Sequence, residues 1–391
     1  MASQPSVFLQ HLALQTQLLA NLQWLCELQV LACIPLDGSV AFEEVAGISN
    51  VPVDQLQRAA RLMTTAGFLC EPSKGHIAHT PLSASFVTEP DLLDAALFLA
   101  QVAVPAALRM PRSLQHFAPY DRGQPWPALA QTDNRLPLLG ENYDQNQPKF
   151  QRQFAAYLAH GILDEAGAVD EVLKLLDWEG LDAATIVDVH PPSTTTVAAL
   201  ATLAPTAQFV VQTSAPSNGH SGLITNAEGG SGGTSWMTYH LPSSVSSRVT
   251  VQSRTAAAAQ TVLSAAVYIL RLPSPSPLLP WTSIRSQAAL ELQAHVQVLR
   301  NQPTSRLILT ALILPLPGTV DRGAEAMVRL RDMSLLQLSS ERQPEKVEIV
   351  ELLTGVRDSA GGLVLNREVQ GSSSAVVAFE VRYQASNGRG C

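Results

Sequence analysis

The chain has 391 residues, of which 46% are hydrophobic and 15% charged, with a net charge of -8 and a pI of about 5.6. That length and balance suit two domains, or three small ones, each with its own core. The acidic balance excludes broad phosphate-backbone binding, which needs clustered Lys and Arg, so no direct nucleic-acid partner is expected.

Residues 1 to about 34 read as one long amphipathic helix. Its leucines, among them Leu12, Leu14, Leu18, Leu22, Leu25 and Leu28, recur at spacings that make a packing face, and that face suits burial against another subunit. Polar residues such as His11, Gln15, Asn21 and Glu27 interrupt it, so it is not membrane-spanning. The start lacks the basic residues and cleavage site of a signal peptide. Pro35-Leu36-Asp37-Gly38 is a turn, a short helix starts at Phe42, and Val51-Pro52-Val53-Asp54 opens a second helix over Gln55 to Ala66. Two strands follow, Gly67 to Cys70 and His76 to Thr80, joined by Lys74-Gly75. Helix, helix and two-stranded wing predict a winged helix. Residues 1–110 hold four basic residues (Arg58, Arg61, Lys74, Arg109) against nine acidic ones, so this winged helix reads as a dimerisation module and not as a DNA reader.

A helical connecting region is expected over 111–180, with helices at Phe150 to His160 and Ala166 to Leu176 beyond a polar stretch at 118–148; Leu92 to Leu108 is helical before it. From 181 to 391 the pattern becomes α/β. Ala184 to Val189 is a strand, Thr196 to Leu203 a helix, and Gln208 to Gln212 a second strand, a β-α-β unit of a doubly wound, Rossmann-like domain. A Gly/Ser-rich insertion at 214–235 resembles a linker. Further strands fall at Arg248 to Gln252, Ala265 to Leu270, Arg306 to Ile313 and Ala375 to Val381, with a helix at Ser283 to Arg300. Cys26, Cys33, Cys70 and Cys391 have no metal or disulfide spacing; the first three read as small core residues in a reducing compartment, and no metal is expected.

The order of these parts resembles the plant and fungal small-molecule O-methyltransferases, over roughly 15 to 382. Met327-Val328-Arg329-Leu330-Arg331-Asp332-Met333-Ser334-Leu335-Leu336-Gln337-Leu338, continued by Ser339-Ser340-Glu341-Arg342, is similar to that family's Arg-Asp-x-x-Met-Leu stretch before a Glu-Arg. The resemblance implies a fold of winged-helix dimerisation domain plus class I methyltransferase domain. It also points to three places where such enzymes keep their chemistry.

The first is a glycine-rich turn after the first strand, where positive φ and close backbone approach admit S-adenosylmethionine. Here the string is Val187-Asp188-Val189-His190-Pro191-Pro192-Ser193-Thr194, with two prolines that fix φ and delete two N–H donors. Asp188 alone survives, and a loop-capping role suits it as well as a functional one. The second is an acid ending the second strand, which binds the ribose hydroxyls; the corresponding string ends in Thr213, which cannot make a charged bidentate contact. The third is a histidine base after Ala266 to Arg271; Leu272 to Pro277 contain none. Losing a positioned base costs about 10²–10⁴-fold in rate. His295, further on in a predicted helix, reads as a surface or packing residue. Asp188, His190, Pro191, Pro192 and Thr213 therefore mark a vestigial cofactor cleft, with no catalytic residue and no cofactor expected.

The eroded loop, with Thr80-Pro81-Leu82-Ser83-Ala84-Ser85-Phe86-Val87-Thr88 and Leu92-Leu93-Asp94-Ala95-Ala96-Leu97-Phe98-Leu99, resembles a degenerate branch of that family. These are the methyltransferase-like coactivators of fungal aromatic polyketide clusters, of the aflatoxin-regulator type. The resemblance implies a homodimer that acts through a zinc-cluster transcription factor in the nucleus or cytoplasm. No Lys/Arg run marks a nuclear signal, so a partner would carry it there. Two other readings stay open at this point: an active S-adenosylmethionine-dependent O-methyltransferase, which the missing base disfavours, and a repurposed enzyme, a cyclase, dehydratase or pericyclase on a polyketide. Its pocket would lie near Phe150, Phe154, Tyr157, His160 and Trp281, although aromatic residues of this kind more often build core.

Overall fold

The computed structural model describes residues 4–115, 148–162, 165–178, 180–181, 183–214, 243–276, 279–339 and 341–386. The expected polar stretch at 118–148 and the Gly/Ser-rich insertion at 214–235 lie, but for Pro148 and Ser214, outside the described residues. The chain divides into two compact units, Met1–Leu163 with Gln337–Ser340, and Asp164–Leu336 with Glu341–Cys391. Of residues 111–180, those up to Leu163 group with the first unit and those from Asp164 with the second.

In the first unit, α1 (Pro5–Glu27) opens with proline in its first turn, where a missing N–H costs nothing. The sequence pattern predicts helix to residue 34, but the helix ends at Glu27. Gln29 takes a left-handed φ of 55°, and a single 3-10 turn, Leu31–Cys33, follows. The leucine stripe is also not uniform. Leu25 is buried and Leu18 and Leu22 pack beside it, whereas Phe8, Leu9 and Leu12 stand 59%, 64% and 50% exposed. Beyond α1 come β1 (Val40–Ala41), α2 (Phe42–Ser49), α3 (Val53–Thr65), β2 (Leu69–Ser73) and β3 (His76–His79). Gly67 sits at φ 71° and closes α3, while the Phe68 N–H reaches back to the Met63 carbonyl at 3.0 Å; this left-handed residue turns the chain into β2. The strands pair in the order β1-β3-β2, which completes the winged helix. Its core is Leu25, Val30, Phe42, Val45, Leu56, Ala60, Met63, Leu69 and Ile77. Cys26 belongs to this core and burial pushes its thiol up to about 12. Cys33 and Cys70 are only half-buried, because each lies at the margin of the packed face.

Thr80 caps α4 (Pro81–Thr88) in a reciprocal box with Ser83, so the chain leaves the wing at a fixed angle. Next are α5 (Pro90–Phe98), a π-helical turn at Leu99–Ala103, α6 (Val104–Gln115), α7 (Pro148–Ala156) and a second π-helical segment, Tyr157–Ile162. Pro90–Met110 is long and apolar enough to cross a membrane by composition, yet Phe98, Val102 and Ala106 on it are 0–2% exposed in the unit's own core.

The second unit holds α8 (Glu165–Lys174), β4 (Thr185–Val189), α9 (Thr195–Leu203), β5 (Gln208–Thr213), α10 (Ser243–Ser246), β6 (Val249–Ser253), β7 (Val267–Arg271), α11 (Trp281–Asn301), β8 (Arg306–Leu312), α12 (Arg322–Ser339), α13 (Lys346–Gly355), β9 (Gly361–Gln370) and β10 (Val376–Ala385). The last residues of α12 group with the first unit. One seven-stranded sheet runs β6-β5-β4-β7-β8-β10-β9. The five strands from β6 to β8 are parallel, and β10 runs antiparallel to both β8 and β9. β4 and β7 are apolar runs buried along nearly their whole length, as central parallel strands covered on both faces must be. The strand order reverses between β4 and β7, so the crevice of this sheet opens at the carboxyl ends of these two strands.

Candidate functional site: the carboxyl edge of the sheet

The loop after β4 keeps a tight turn without glycine. His190 adopts a φ of 48° and its N–H donates to the Gln212 carbonyl at 2.8 Å. That bond ties the turn to the end of β5. Glycine adopts such a φ most cheaply; among other residues, histidine is one of the few enriched in this region. Pro191 is buried and Pro192 exposed. Ser193 and Thr195 pair through their hydroxyls at 2.7 Å, and α9 then begins with no side-chain cap.

Asp188 is fully buried, with both carboxylate oxygens taken by Arg271 at the end of β7. Arg271 Nη1 donates to Oδ1, and Nη2 to Oδ2 at 3.2 Å. The surviving acid of the loop is therefore half of a buried ion pair that clamps β4 to β7 at the switch point. Thr213 is half-buried, and its carbonyl accepts the Arg254 N–H at 2.9 Å.

The residue before it carries more of the structure. Gln212 is fully buried and exchanges amide hydrogen bonds with Gln260, at 2.7 and 3.1 Å. Gln260 Nε2 also donates to His295 Nε2 at 2.9 Å. His295 Nδ1 lies 2.8 Å from the Glu291 carbonyl, so the proton sits on Nδ1 and the ring is neutral. The Glu291 carboxylate accepts from Arg254 Nη1 and from the Ala257 N–H, each at 2.5 Å. Tyr268 meets the His295 ring edge-on at 5.4 Å. His190, Gln212 and Arg254 each lie at or just past the carboxyl end of β4, β5 or β6, while α11 supplies Glu291 and His295. Burial pushes His190 down, and pushes His295 down to about 4. His295 is a packing residue with no surface. It was foreseeable as helical, but its partners lie far away in sequence, and nothing local marks them.

The arginine of this constellation is neutralised by Glu291, its two histidines are held neutral, and its amides bond to one another. Two buried atoms, His190 Nε2 and Arg254 Nε, have no hydrogen-bond partner among the described residues. Among the described residues, no cluster of three or more His, Cys, Asp or Glu could hold a metal ion.

The aromatic residues singled out in the sequence fall in two cores. In the first unit, Phe98 is fully buried, with the rings of Tyr157, Phe154 and Phe150 at 5.0, 5.3 and 5.5 Å. His160 is exposed. In the second unit, Trp281 is 7% exposed and its indole N–H donates to Glu348 at 3.1 Å.

A winged helix joined to this sheet order defines the class: a class I methyltransferase fold with a winged-helix N-terminal part. N,N-8-amino-8-demethyl-D-riboflavin dimethyltransferase (RosA) from Streptomyces davawensis shares it, with a TM-score of 0.66 at 14% identity over 98% of this chain and 100% of that one. A pericyclic reaction enzyme shares it too, with a TM-score of 0.60 at 15% identity over 98% of this chain and 90% of that one. The fold alone thus leaves the chemistry open. No family model matches the chain. The dothistromin biosynthesis regulatory protein aflJ of Dothistroma septosporum is 40% identical over 98% of this chain and 85% of its own length. The aflatoxin cluster transcriptional coactivator aflS of Aspergillus flavus is 40% identical over 99% of this chain and 87% of its own. The chain belongs to this family, the methyltransferase-like aflS/aflJ-type coactivators of fungal secondary-metabolite clusters.

Proposed function

We propose that this protein is a transcriptional coactivator of a secondary-metabolite gene cluster, that it transfers no methyl group, and that it works through a zinc-cluster transcription factor. The observation that carries this reading is identity near 40%, over 98–99% of this chain, to relatives named as a regulatory protein and a coactivator of such clusters. The carboxyl edge of the sheet supports it. An S-adenosylmethionine site needs a free acid at the second strand and an open glycine turn; this chain has Thr213 there, and His190 with Pro191 in the turn. The winged helix supports a protein partner over DNA. Of the two arginines on α3, Arg61 is held on Glu71 through two hydrogen bonds at 2.9 and 3.1 Å, which leaves Arg58 alone for a phosphate.

Such a coactivator acts in the nucleus, carried there by its partner. It acts as a homodimer, because α1 bears no charged residue before Glu27 and exposes Phe8, Leu9 and Leu12, a face that water solvates poorly and a second copy would cover. Deleting the gene should silence the cluster's transcripts, and the tagged protein should copurify with the cluster's zinc-cluster factor. Unchanged transcripts together with an accumulating pathway intermediate would overturn this reading in favour of a repurposed enzyme. Sedimentation should give twice the 41.8 kDa chain mass; a monomer at micromolar concentration refutes the dimer.

A further inference from the structure

We infer that the exposed face of α2, with the start of α3, docks a basic amphipathic segment of the DNA-binding partner, so that the winged helix reads protein through the surface beside its helix-turn-helix. The inference rests on the coactivator reading and names the surface it would use. Short as it is, α2 divides cleanly. Phe42, Val45 and Ala46 are buried in the winged-helix core, while Glu43, Glu44, Gly47 and Ile48 are exposed. These four positions share one side of a helix at 100° per residue. Ile48 is a large aliphatic side chain that stands 63% exposed. Asn50 ends α2 in a left-handed turn and Pro52 starts α3, which places exposed Asp54 in the first turn of the next helix. β1 runs directly into α2, and just ahead of β1 stand exposed Leu36 and Asp37.

The exposed carboxylates on α2 and in the segments flanking it in sequence are unanswered among the described residues. None of Asp37, Glu43, Glu44 and Asp54 takes part in an ion pair among the described residues, whereas Glu71 in the wing is answered by Arg61. A stabilising role at the helix start accounts for part of this, since Glu43 and Glu44 lie in the first turn of α2. It does not account for Ile48 standing bare beside them at an i, i+4 position from Glu44. An aliphatic anchor rimmed by uncompensated carboxylates fits a segment with Lys or Arg flanking an apolar side chain. The anchor is excluded from water on contact, and the rim charges steer the encounter and fix its register. The same rim repels nucleic acid and, through like charge, a second copy of the same face. The uncharged face of α1 has the opposite character.

The test uses the full-length chain and the purified zinc-cluster regulator encoded in the same gene cluster, with binding followed by interferometry at two salt concentrations. The proposal expects Glu43→Lys/Glu44→Lys/Asp54→Lys to weaken binding on the order of tenfold or more and to abolish most of its salt dependence. It expects Ile48→Ala to weaken binding about fivefold with the salt dependence kept. Glu43→Gln/Glu44→Gln, which adds no positive charge, should give an intermediate loss. Unchanged melting curves establish that each exposed substitution left the fold intact. Equal binding by wild type and all variants overturns this surface while the coactivator reading stands. No binding by the wild type overturns both. A loss of dimer mass in the charge-reversal variant, with regulator binding retained, assigns the face to a second copy and overturns the proposal as well.

Discussion

Replacing Arg271 by methionine keeps most of the side chain's volume and removes its charge. Asp188 would then be a fully buried carboxylate without its guanidinium, in the middle of a parallel sheet. No other side chain pairs with it among the described residues. Breaking a buried pair from one side costs about 3–5 kcal/mol, because the remaining charge keeps its desolvation penalty and loses its compensation. Removing both charges, as in Asp188→Asn/Arg271→Met, leaves no buried ion, and most of that loss should return. Urea unfolding followed by tryptophan fluorescence, to which Trp178 and Trp281 in the core of the second unit contribute, reads the effect. The single variant should move the midpoint sharply downward, and the double variant should lie much nearer the wild type. If Arg271→Met unfolds within about 1 kcal/mol of the wild type, the clamp between β4 and β7 is not what Asp188 is for.

Titration with S-adenosylmethionine should give no calorimetric heat, and the variant His190→Gly/Pro191→Gly/Pro192→Gly should give none either, because Thr213 still lacks the charged acceptor; micromolar binding by either protein refutes the account of the cleft. The second unit should weaken as the pH falls from 6.5 towards 4. His295 and His190 are held below their ordinary value by burial, so the unfolded chain binds the extra protons in that window and stability is fully present only above it. His295→Gln should flatten the dependence by about 1–2 kcal/mol across the window, and an unchanged pH profile of urea midpoints would contradict the assignment. Phe98→Ala should cost about 3–5 kcal/mol in the first unit, since it removes the ring against which Tyr157, Phe154 and Phe150 pack; a loss under 1 kcal/mol would show that these rings form a loose cluster and not a core.

The parts of the fold with a local signature were legible in the sequence. The wing followed from Gly67, Lys74-Gly75 and the short apolar runs on either side, and the β-α-β unit followed from the buried runs that became β4 and β5. The end of α1 was not legible, because a left-handed Gln29 interrupts a pattern that otherwise continues to Ile34. Strand β9 escaped too. It mixes Asn366, Arg367 and Glu368 into an edge strand that is exposed over much of its length, so neither a buried run nor a clean alternation marks it. At the site, the identities of His190 and Thr213 stand in single positions of the sequence. The Gln212–Gln260–His295 chain and the Arg271 clamp do not. Each joins residues from separate strands and helices, and only the closing of the sheet makes them neighbours.

His190 gives the loop a property that neither its residues nor its ancestry would suggest. A turn held by glycine is soft, since glycine visits many conformations and stays where a ligand holds it. A histidine at a φ of 48°, tied to the Gln212 carbonyl and followed by a buried proline, can hardly go anywhere else. The turn after β4 is held by its own residues and not by a ligand. A surface built this way loses little entropy when anything docks on it, because it does not rearrange.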